Sequence, residues 1–382
     1  MAGHDVIVAG LGGMGAATAY YLASRGHSVL GFDMHEPGHT LGSSHGHHRI
    51  IREAYFEDPN YVPFVQRAYG LWAELEEDAG VTDILTITGG LMFGRRDSQV
   101  VEGSLMSGRL HGLPYEEFSA REASRQFPGF RLAEDMVAVY EARSGFVAPE
   151  KAIAAQVRLA RQRDADLRYG VEVTGWSSDG NGVTVETTNG TFSGQSLVLT
   201  TGPWANELLS DLQVPLEVWR IVNCYFEPIE PELYEVGKFP IYLFDAPEGT
   251  FYGFPHIDGV GLKIGRHDTG RVTTARTIDR TVADSEINEL HDVLSTYLPS
   301  AAGRVLDSIT CMYTMTPDEH FVIDRHPEHA NVVLGCGFSG HGYKFASAIG
   351  EALGELALGE SPSQPIGFLG LQRFNEELAG AS

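Results

Sequence analysis

The chain opens on a run of apolar residues, Val6 to Ala9, that breaks at once into glycines at positions 10, 12 and 15. A helix-like stretch follows from Ala16 to Arg25, and a second apolar run, Ser28 to Phe32, ends in Asp33. Strand, G-x-G-x-x-G turn, helix, second strand and terminal acid are the parts of the βαβ dinucleotide-binding fingerprint. Gly10 allows the tight turn. Gly12 lets the backbone approach a pyrophosphate with no Cβ in the way, and Gly15 lets helix and strand pack closely. The helix N-terminus presents free N–H groups and the positive end of its dipole to the phosphates. Asp33 stands where a carboxylate can accept hydrogen bonds from a ribose.

The rest of the pattern divides into two kinds of segment. Helical stretches return at Glu150 to Arg163 and at Tyr343 to Leu358, and strands are expected near Leu167–Val173, Val183–Thr187 and Leu197–Thr201. The turn Ser178-Asp-Gly-Asn-Gly182 marks a hairpin. Between these lie β-branched and aromatic runs punctuated by Pro and Gly: Val218–Phe226, Phe239–Phe244, Thr250–Phe254 and Gly261–Gly265, with a few helices such as Ala283–Tyr297. There is no internal repeat, low-complexity tract or long linker. The expected fold is α/β: a Rossmann-type domain from residues 1–85, 150–210 and 319–382, interleaved with a mixed or antiparallel-sheet domain from 86–149 and 211–318. A ligand would lie between the two.

Composition narrows the function. The 382 residues carry a formal net charge of −24. Such a chain repels nucleic acid and anionic membrane, so neither is an expected partner. A carboxylate substrate would need local arginine or lysine. Cys224, Cys311 and Cys336 are an odd, sparse set without metal-ligand spacing, which points to a reducing compartment. The N-terminus runs straight into the first strand, and no apolar run approaches the ~20 residues of a membrane helix. A soluble, cytoplasmic protein is expected.

Four clusters carry candidate chemistry. Arg49 and Arg52 lie three apart, a spacing that shares a face on a helical turn and suits anion recognition or, equally, ordinary surface ion pairs. His45, His47 and His48 beside them lack the Cys or carboxylate that would complete a metal site, and no metal is expected. In the strand around Lys263, residues two apart share a face, so Lys263, Gly265 and His267 point together, into a pocket wall or to solvent. Four glycines in Gly335-Cys-Gly337-Phe-Ser-Gly340-His341-Gly342 precede a helix and offer a second close backbone approach. Lys344, in that helix's first turn, is placed against the dipole. Cys311 and Tyr313 face one side of a strand, where a free cysteine is most commonly just a small buried apolar group.

These pieces together resemble the monomeric sarcosine oxidase and N-methyltryptophan oxidase family of flavoprotein amine oxidases. The match runs nearly end to end. It is most specific at Gly-Ser-Ser-His-Gly-His-His-Arg-Ile-Ile-Arg (42–52), Tyr252-Gly-Phe-Pro, Gly-Leu-Lys-Ile-Gly (261–265), Cys311-Met-Tyr-Thr-Met-Thr-Pro-Asp-Glu-His-Phe and Gly-Phe-Ser-Gly-His-Gly-Tyr-Lys (337–344). The resemblance implies FAD held by Gly10, Gly12, Gly15, Asp33, Ser43, Val171, Gly340, His341, Gly342 and Lys344, with a thioether from Cys311. It implies Arg49 and Lys263 on opposite faces of the flavin ring, Lys263 acting through a water on O₂, and Arg52 and Lys344 on the substrate carboxylate. Tyr252, His267 and Tyr313 would surround the amine. The implied reaction takes sarcosine to glycine, formaldehyde and H₂O₂ in a monomeric enzyme. Alternatives are an oxidase of a bulkier N-methyl or cyclic imino acid, and a nicotinamide-dependent dehydrogenase. Ser43-Ser44-His45-Gly46-His47-His48-Arg49 departs from the family's usual Ser-His-His-Gly-Asp-Thr-Arg, so a histidine replaces threonine at 48. Tyr343 stands where Phe is more usual.

Overall fold

The computed structural model describes residues 3–212 and 214–374. The ends of the first and last expected segments, 1–2 and 375–382, lie outside the described residues. Five parallel strands form the centre of an eight-stranded sheet, in the order Val332–Cys336, Gly190–Leu199, His4–Ala9, Val29–Asp33 and Asp166–Tyr169. Both faces are covered. Val6 and Val8 belong to one apolar cluster while Ile7 and Ala9 belong to another, the period-2 alternation of a strand buried on both sides. Helix Gly13–Ser24 packs between helices Pro149–Gln162 and Ala346–Ala357 on one face.

Several boundaries differ from those expected. The first helix starts at Gly13 with Gly12 as its N-cap, three residues earlier than the apolar pattern suggested, so Gly15 lies inside its first turn. A Cβ on Gly15 would stand 1.8 Å from the Gly10 carbonyl oxygen. The strand expected at 167–173 is two strands, Asp166–Tyr169 and Val173–Ser178, because Gly170 takes φ +70 and turns the chain between them. The last helix begins at Ala346, and Tyr343–Phe345 form a separate 3-10 turn. Lys344 therefore does not oppose an α-helix dipole; its side chain is buried for other reasons, given below. Arg49 opens a short strand, Arg49–Ile51, so Arg49 and Arg52 do not share a helical face.

The second sheet has nine strands, mostly antiparallel, drawn from residues 90–141 and 217–315. Its long members, Glu217–Phe226 and Val305–Met315, pair antiparallel, and Leu262–Arg266 pairs with the other edge of Glu217–Phe226. Cys224, Phe226, Leu262 and Ile264 point into an apolar core capped by helix Asp284–Tyr297. The alternate residues Ile221, Asn223, Tyr225, Lys263 and Gly265 take the opposite face. A three-stranded sheet of Arg49–Ile51, Gly145–Val147 and Leu85–Ile87 lies apart from both. Among the described residues no helix is long and apolar enough to cross a membrane.

Candidate active site

A large cavity of about 1370 Å³ of open space runs from the glycine turn to the second sheet. Gly10, Gly12, Asp33, Ser43, Val171, Thr200 and Trp204 line it, and Cys311, Tyr313, Gly340 and Gly342 close its far end. The turn is built for close approach. Gly10 takes φ +90, and a Cβ there would sit 2.5 Å from the Thr200 carbonyl. The Ser44 hydroxyl accepts from Gly13 N at 3.1 Å, tying the loop 42–48 to the helix start. The Asp33 carboxylate accepts from Leu11 N (2.8 Å) and His35 N (2.9 Å), which fixes its direction at the end of its strand. Val171 N donates to the Asp33 carbonyl at 2.9 Å. Two polar atoms on the cavity wall, Ser43 Oγ and Trp204 Nε1, are buried without a partner. Buried polar groups are nearly always satisfied, so a bound group with an acceptor for Trp204 Nε1 and a partner for Ser43 Oγ would complete both. The cavity, its glycine cradle and its orphaned polar atoms fit a dinucleotide.

A second, smaller cavity adjoins the first. The two share Arg49, Cys311, Tyr313, Gly340 and Tyr343. The small one adds Arg52, Glu57, Asn223, Tyr252, His267 and Lys344, with apolar walls from Ile50, Leu243 and Phe254. Cys311 thus stands at the junction. Its Sγ lies 3.6 Å from Arg49 Nη2, and the same guanidinium donates to the Ser43 and His48 carbonyls at 3.0 and 2.9 Å. A Cβ on Gly340 (φ +77) would meet the Tyr313 ring at 2.5 Å, so only glycine lets this loop reach the junction.

Lys263 is 1% exposed and lines neither cavity. Its ammonium donates to the carbonyls of Gly46 (2.8 Å) and His48 (3.3 Å), over the Phe254 and Tyr225 rings. Burial, with Arg49 nearby, pushes its pKa well below the ordinary lysine value. The loop that covers it is itself pinned: Glu150 Oε1 accepts from Gly46 N and His47 N. His48 packs edge-on against Phe146, and burial with the Lys263 charge pushes its pKa down to about 2, so the ring is neutral. His267 follows the end of its strand, yet its N–H continues the ladder to Thr250 O, and its ring reaches Tyr252 and Tyr313. Burial lowers its pKa as well.

The cationic end of the small cavity is occupied by the protein's own groups. Arg52 is 1% exposed, pairs with the Glu57 carboxylate and stacks on Tyr55 and Phe56. Burial alone would raise the Glu57 pKa; Arg52, His341 and Lys344 outweigh it and hold the group at about 2. Lys344 Nζ donates to the His341 carbonyl (2.7 Å) and to Tyr55 Oη (3.3 Å). Burial, helped by Arg52, pushes Lys344 down to about 7. His341 bonds Tyr55 Oη through Nδ1 and the Glu319 carbonyl through Nε2, and burial pushes its pKa down to about 3.

Sequence reasoning missed Glu57, Tyr55, Asn223 and Glu150. Glu57 is one acid among many and carries no motif. Asn223 did leave a signal: a lone amide inside the apolar run Val218–Phe226. Among the described residues no cluster of three His, Cys, Asp or Glu side chains could hold a metal ion.

The fold and the glycine-turn cavity define a dinucleotide-binding α/β protein, with a smaller cavity adjoining the first at Cys311. The chain belongs to the FAD dependent oxidoreductase family, whose model matches residues 5–356. It is 44% identical over 380 residues to the monomeric sarcosine oxidase of Streptomyces avermitilis, covering 97% of this chain and 98% of that one. It is 38% identical to the monomeric sarcosine oxidase of Bacillus sp. (97% and 96% covered). The N-methyl-L-tryptophan oxidase of Salmonella newport is 34% identical (98% and 100% covered). Among solved structures, NikD, described as an unusual amino acid oxidase essential for nikkomycin biosynthesis, superposes with a TM-score of 0.86 at 25% identity (97% and 98% covered). Glycine oxidase from Geobacillus kaustophilus superposes with a TM-score of 0.82 at 22% identity, a likeness of fold. The protein is therefore an FAD-dependent oxidoreductase, and the nicotinamide alternative is set aside.

Proposed function

We propose that the protein oxidises the N-methyl group of a small N-methyl amino acid, N-methylglycine (sarcosine) foremost. The amine, O₂ and water would yield glycine, formaldehyde and H₂O₂. The observation that carries this reading is the junction: a dinucleotide cavity and a small chamber meet at Arg49 and Cys311, with buried Arg52 and Lys344 in the chamber. Its relatives at 44% and 38% identity, both sarcosine oxidases, support it. The small apolar walls favour a small amino acid over a bulky one.

FAD supplies the acceptor for the electron pair of the C–H bond beside nitrogen and passes that pair to O₂. The rest falls to the chain. Gly10, Gly12, Gly15, Asp33, Ser43, Val171, Gly340, His341 and Gly342 would hold the cofactor, and Cys311 would tether it as a thioether. The interleaved segments 1–85, 150–210 and 319–382 would serve as the cofactor part, and 86–149 with 211–318 as the substrate part. Arg52 and Lys344 would bind the substrate carboxylate, which takes the place that Glu57 now fills beside Arg52. Tyr252, Tyr313 and the neutral His267 would surround the amine, and His267 can accept its proton. The carbinolamine formed when water adds to the imine then releases formaldehyde. Arg49, and Lys263 in its protonated form, would set positive charge beside the ring, where a fixed charge stabilises developing negative charge without reorganisation. We take the enzyme as cytoplasmic, in keeping with three unpaired cysteines, and as a monomer, after its relatives named monomeric sarcosine oxidase.

The test is H₂O₂ and formaldehyde release by the purified holoenzyme across N-methyl amino acids and cyclic imino acids. The expected result is one formaldehyde per H₂O₂, greatest with N-methylglycine. Peroxide from none of them would contradict the reading, and a preference for N-methyltryptophan would move it to the bulkier class. Acid-precipitated protein should stay yellow, and Cys311→Ser protein should lose its colour to the supernatant. Colour released from both would remove the tether.

A further inference from the structure

We propose that Asn223 sets the direction of the hydrogen bonds between the two active-site tyrosines, so that both phenol oxygens face the substrate as acceptors. The proposal rests on the function above, in which the small chamber holds the amine. Asn223 is 2% exposed, on the sheet face that carries Tyr225 and Lys263, and lines the chamber. Its Oδ1 accepts from the Tyr252 hydroxyl at 2.7 Å. Tyr252 Oη in turn accepts from the Tyr313 hydroxyl at 3.2 Å. The packing around this contact is tight: a Cβ on Gly265 would sit 2.7 Å from Asn223 Oδ1 and 2.8 Å from Tyr252 Oη.

A phenol has one proton to donate. Tyr252 spends its proton on Asn223, and Tyr313 spends its proton on Tyr252. Burial raises the pKa of both phenols, so neither gives up that proton at neutral pH. What remains on each oxygen is lone-pair capacity. The chamber thereby demands a ligand with an N–H at this position and disfavours one that offers only a lone pair. An unsatisfied or mismatched buried polar group gives strong discrimination in such sites. Asn223 is a positioning residue in this account: it acts through Tyr252.

The test uses methoxyacetate, the ether that matches N-methylglycine in shape but has an oxygen lone pair where the amine has N–H. Its affinity is read without turnover, from the perturbation of the holoenzyme's flavin absorbance. In Asn223→Val the Tyr252 proton is free to turn into the chamber. Methoxyacetate should then bind about tenfold tighter, while kcat/KM for N-methylglycine falls about tenfold, the size of one hydrogen bond exchanged for a mismatch. A merely structural defect would weaken both. Tyr252→Phe is the second variant: it frees the Tyr313 proton and should also tighten methoxyacetate. Adding Asn223→Val to Tyr252→Phe should then change the ether affinity by less than twofold. Ether affinity that falls or stays constant in the single variants overturns the proposal. So does a full Asn223→Val effect in the Tyr252→Phe background, which would mean that Asn223 touches the ligand directly. If the holoenzyme oxidises no N-methyl amino acid, the functional reading fails, while the ether titration still reports on Asn223.

Discussion

The two cavities that meet at Cys311 are made of different materials. The large one is shaped by backbone: glycine φ angles, helix N–H groups, and contacts with no room for a Cβ. The small one is shaped by side chains that arrive from six separate stretches of chain: Arg49 to Glu57, Asn223, Leu243, Tyr252 to His267, Cys311 to Tyr313, and Gly340 to Lys344. Backbone recognition leaves a local motif, since the constraint sits on consecutive residues. Side-chain recognition does not, since the tertiary fold assembles it. The two regions should therefore fail differently when altered.

The largest effect is expected in the backbone cavity. Gly15→Ala would put a Cβ 1.8 Å from the Gly10 oxygen, a contact that cannot be relieved without moving helix or strand. Purified Gly15→Ala protein should carry almost no flavin, seen as a collapse of the ratio of visible to ultraviolet absorbance. Normal flavin content would break the claim that this turn is rigidly specified. Next comes Lys263, which lines neither cavity but lies beneath the loop that joins them. Lys263→Met should slow reoxidation by O₂ roughly 100-fold or more, as for the loss of one fixed charge at a reacting centre. Methoxyacetate affinity should change less than threefold. Stopped-flow mixing of the reduced enzyme with O₂ separates the two, and an unchanged oxidative rate would remove Lys263 from the chemistry.

How much was legible follows from the same difference. The βαβ unit was readable because glycines, strand and terminal acid are contiguous. The break at Gly170 was not, since nothing in the segment 167–173 shows that this glycine adopts φ +70. In the small chamber the cations Arg52 and Lys344 stand out in the sequence, and the resemblance implies their carboxylate role. Their partners do not stand out: Glu57 pairs with Arg52 only because the chain bends after the strand Arg49–Ile51. Helical spacing was the wrong rule for Arg49 and Arg52, because the pairing of Arg49–Ile51 with Gly145–Val147 overrides any local helical preference. Lys344 reads as misplaced against a helix dipole, and the structure gives a different cause, a 3-10 turn whose lysine donates to the His341 carbonyl and to Tyr55 Oη.

Two smaller effects sharpen the side-chain region. Arg52→Gln should raise KM for N-methylglycine some 10- to 100-fold, the range for a charge-assisted hydrogen bond, with a smaller change in kcat. An unchanged KM would dissolve the carboxylate clamp. The smallest is a pH effect. Burial pushes Lys344 to about 7, so it is cationic below that value and neutral above it. Methoxyacetate is an anion throughout this range, so its affinity should be greatest near pH 6. It should weaken as pH rises through 7, by up to about tenfold per unit. Lys344→Met should flatten that profile, and a profile that survives the substitution would assign the titration elsewhere.

Anaerobic mixing of the purified yellow protein with N-methylglycine tests the whole account at once. The flavin absorbance should bleach fully with one equivalent of amine and return on admitting air, with one formaldehyde and one H₂O₂ released. Absorbance that stays oxidised with N-methylglycine and with every other N-methyl amino acid would contradict the assignment of the small chamber as an amine site.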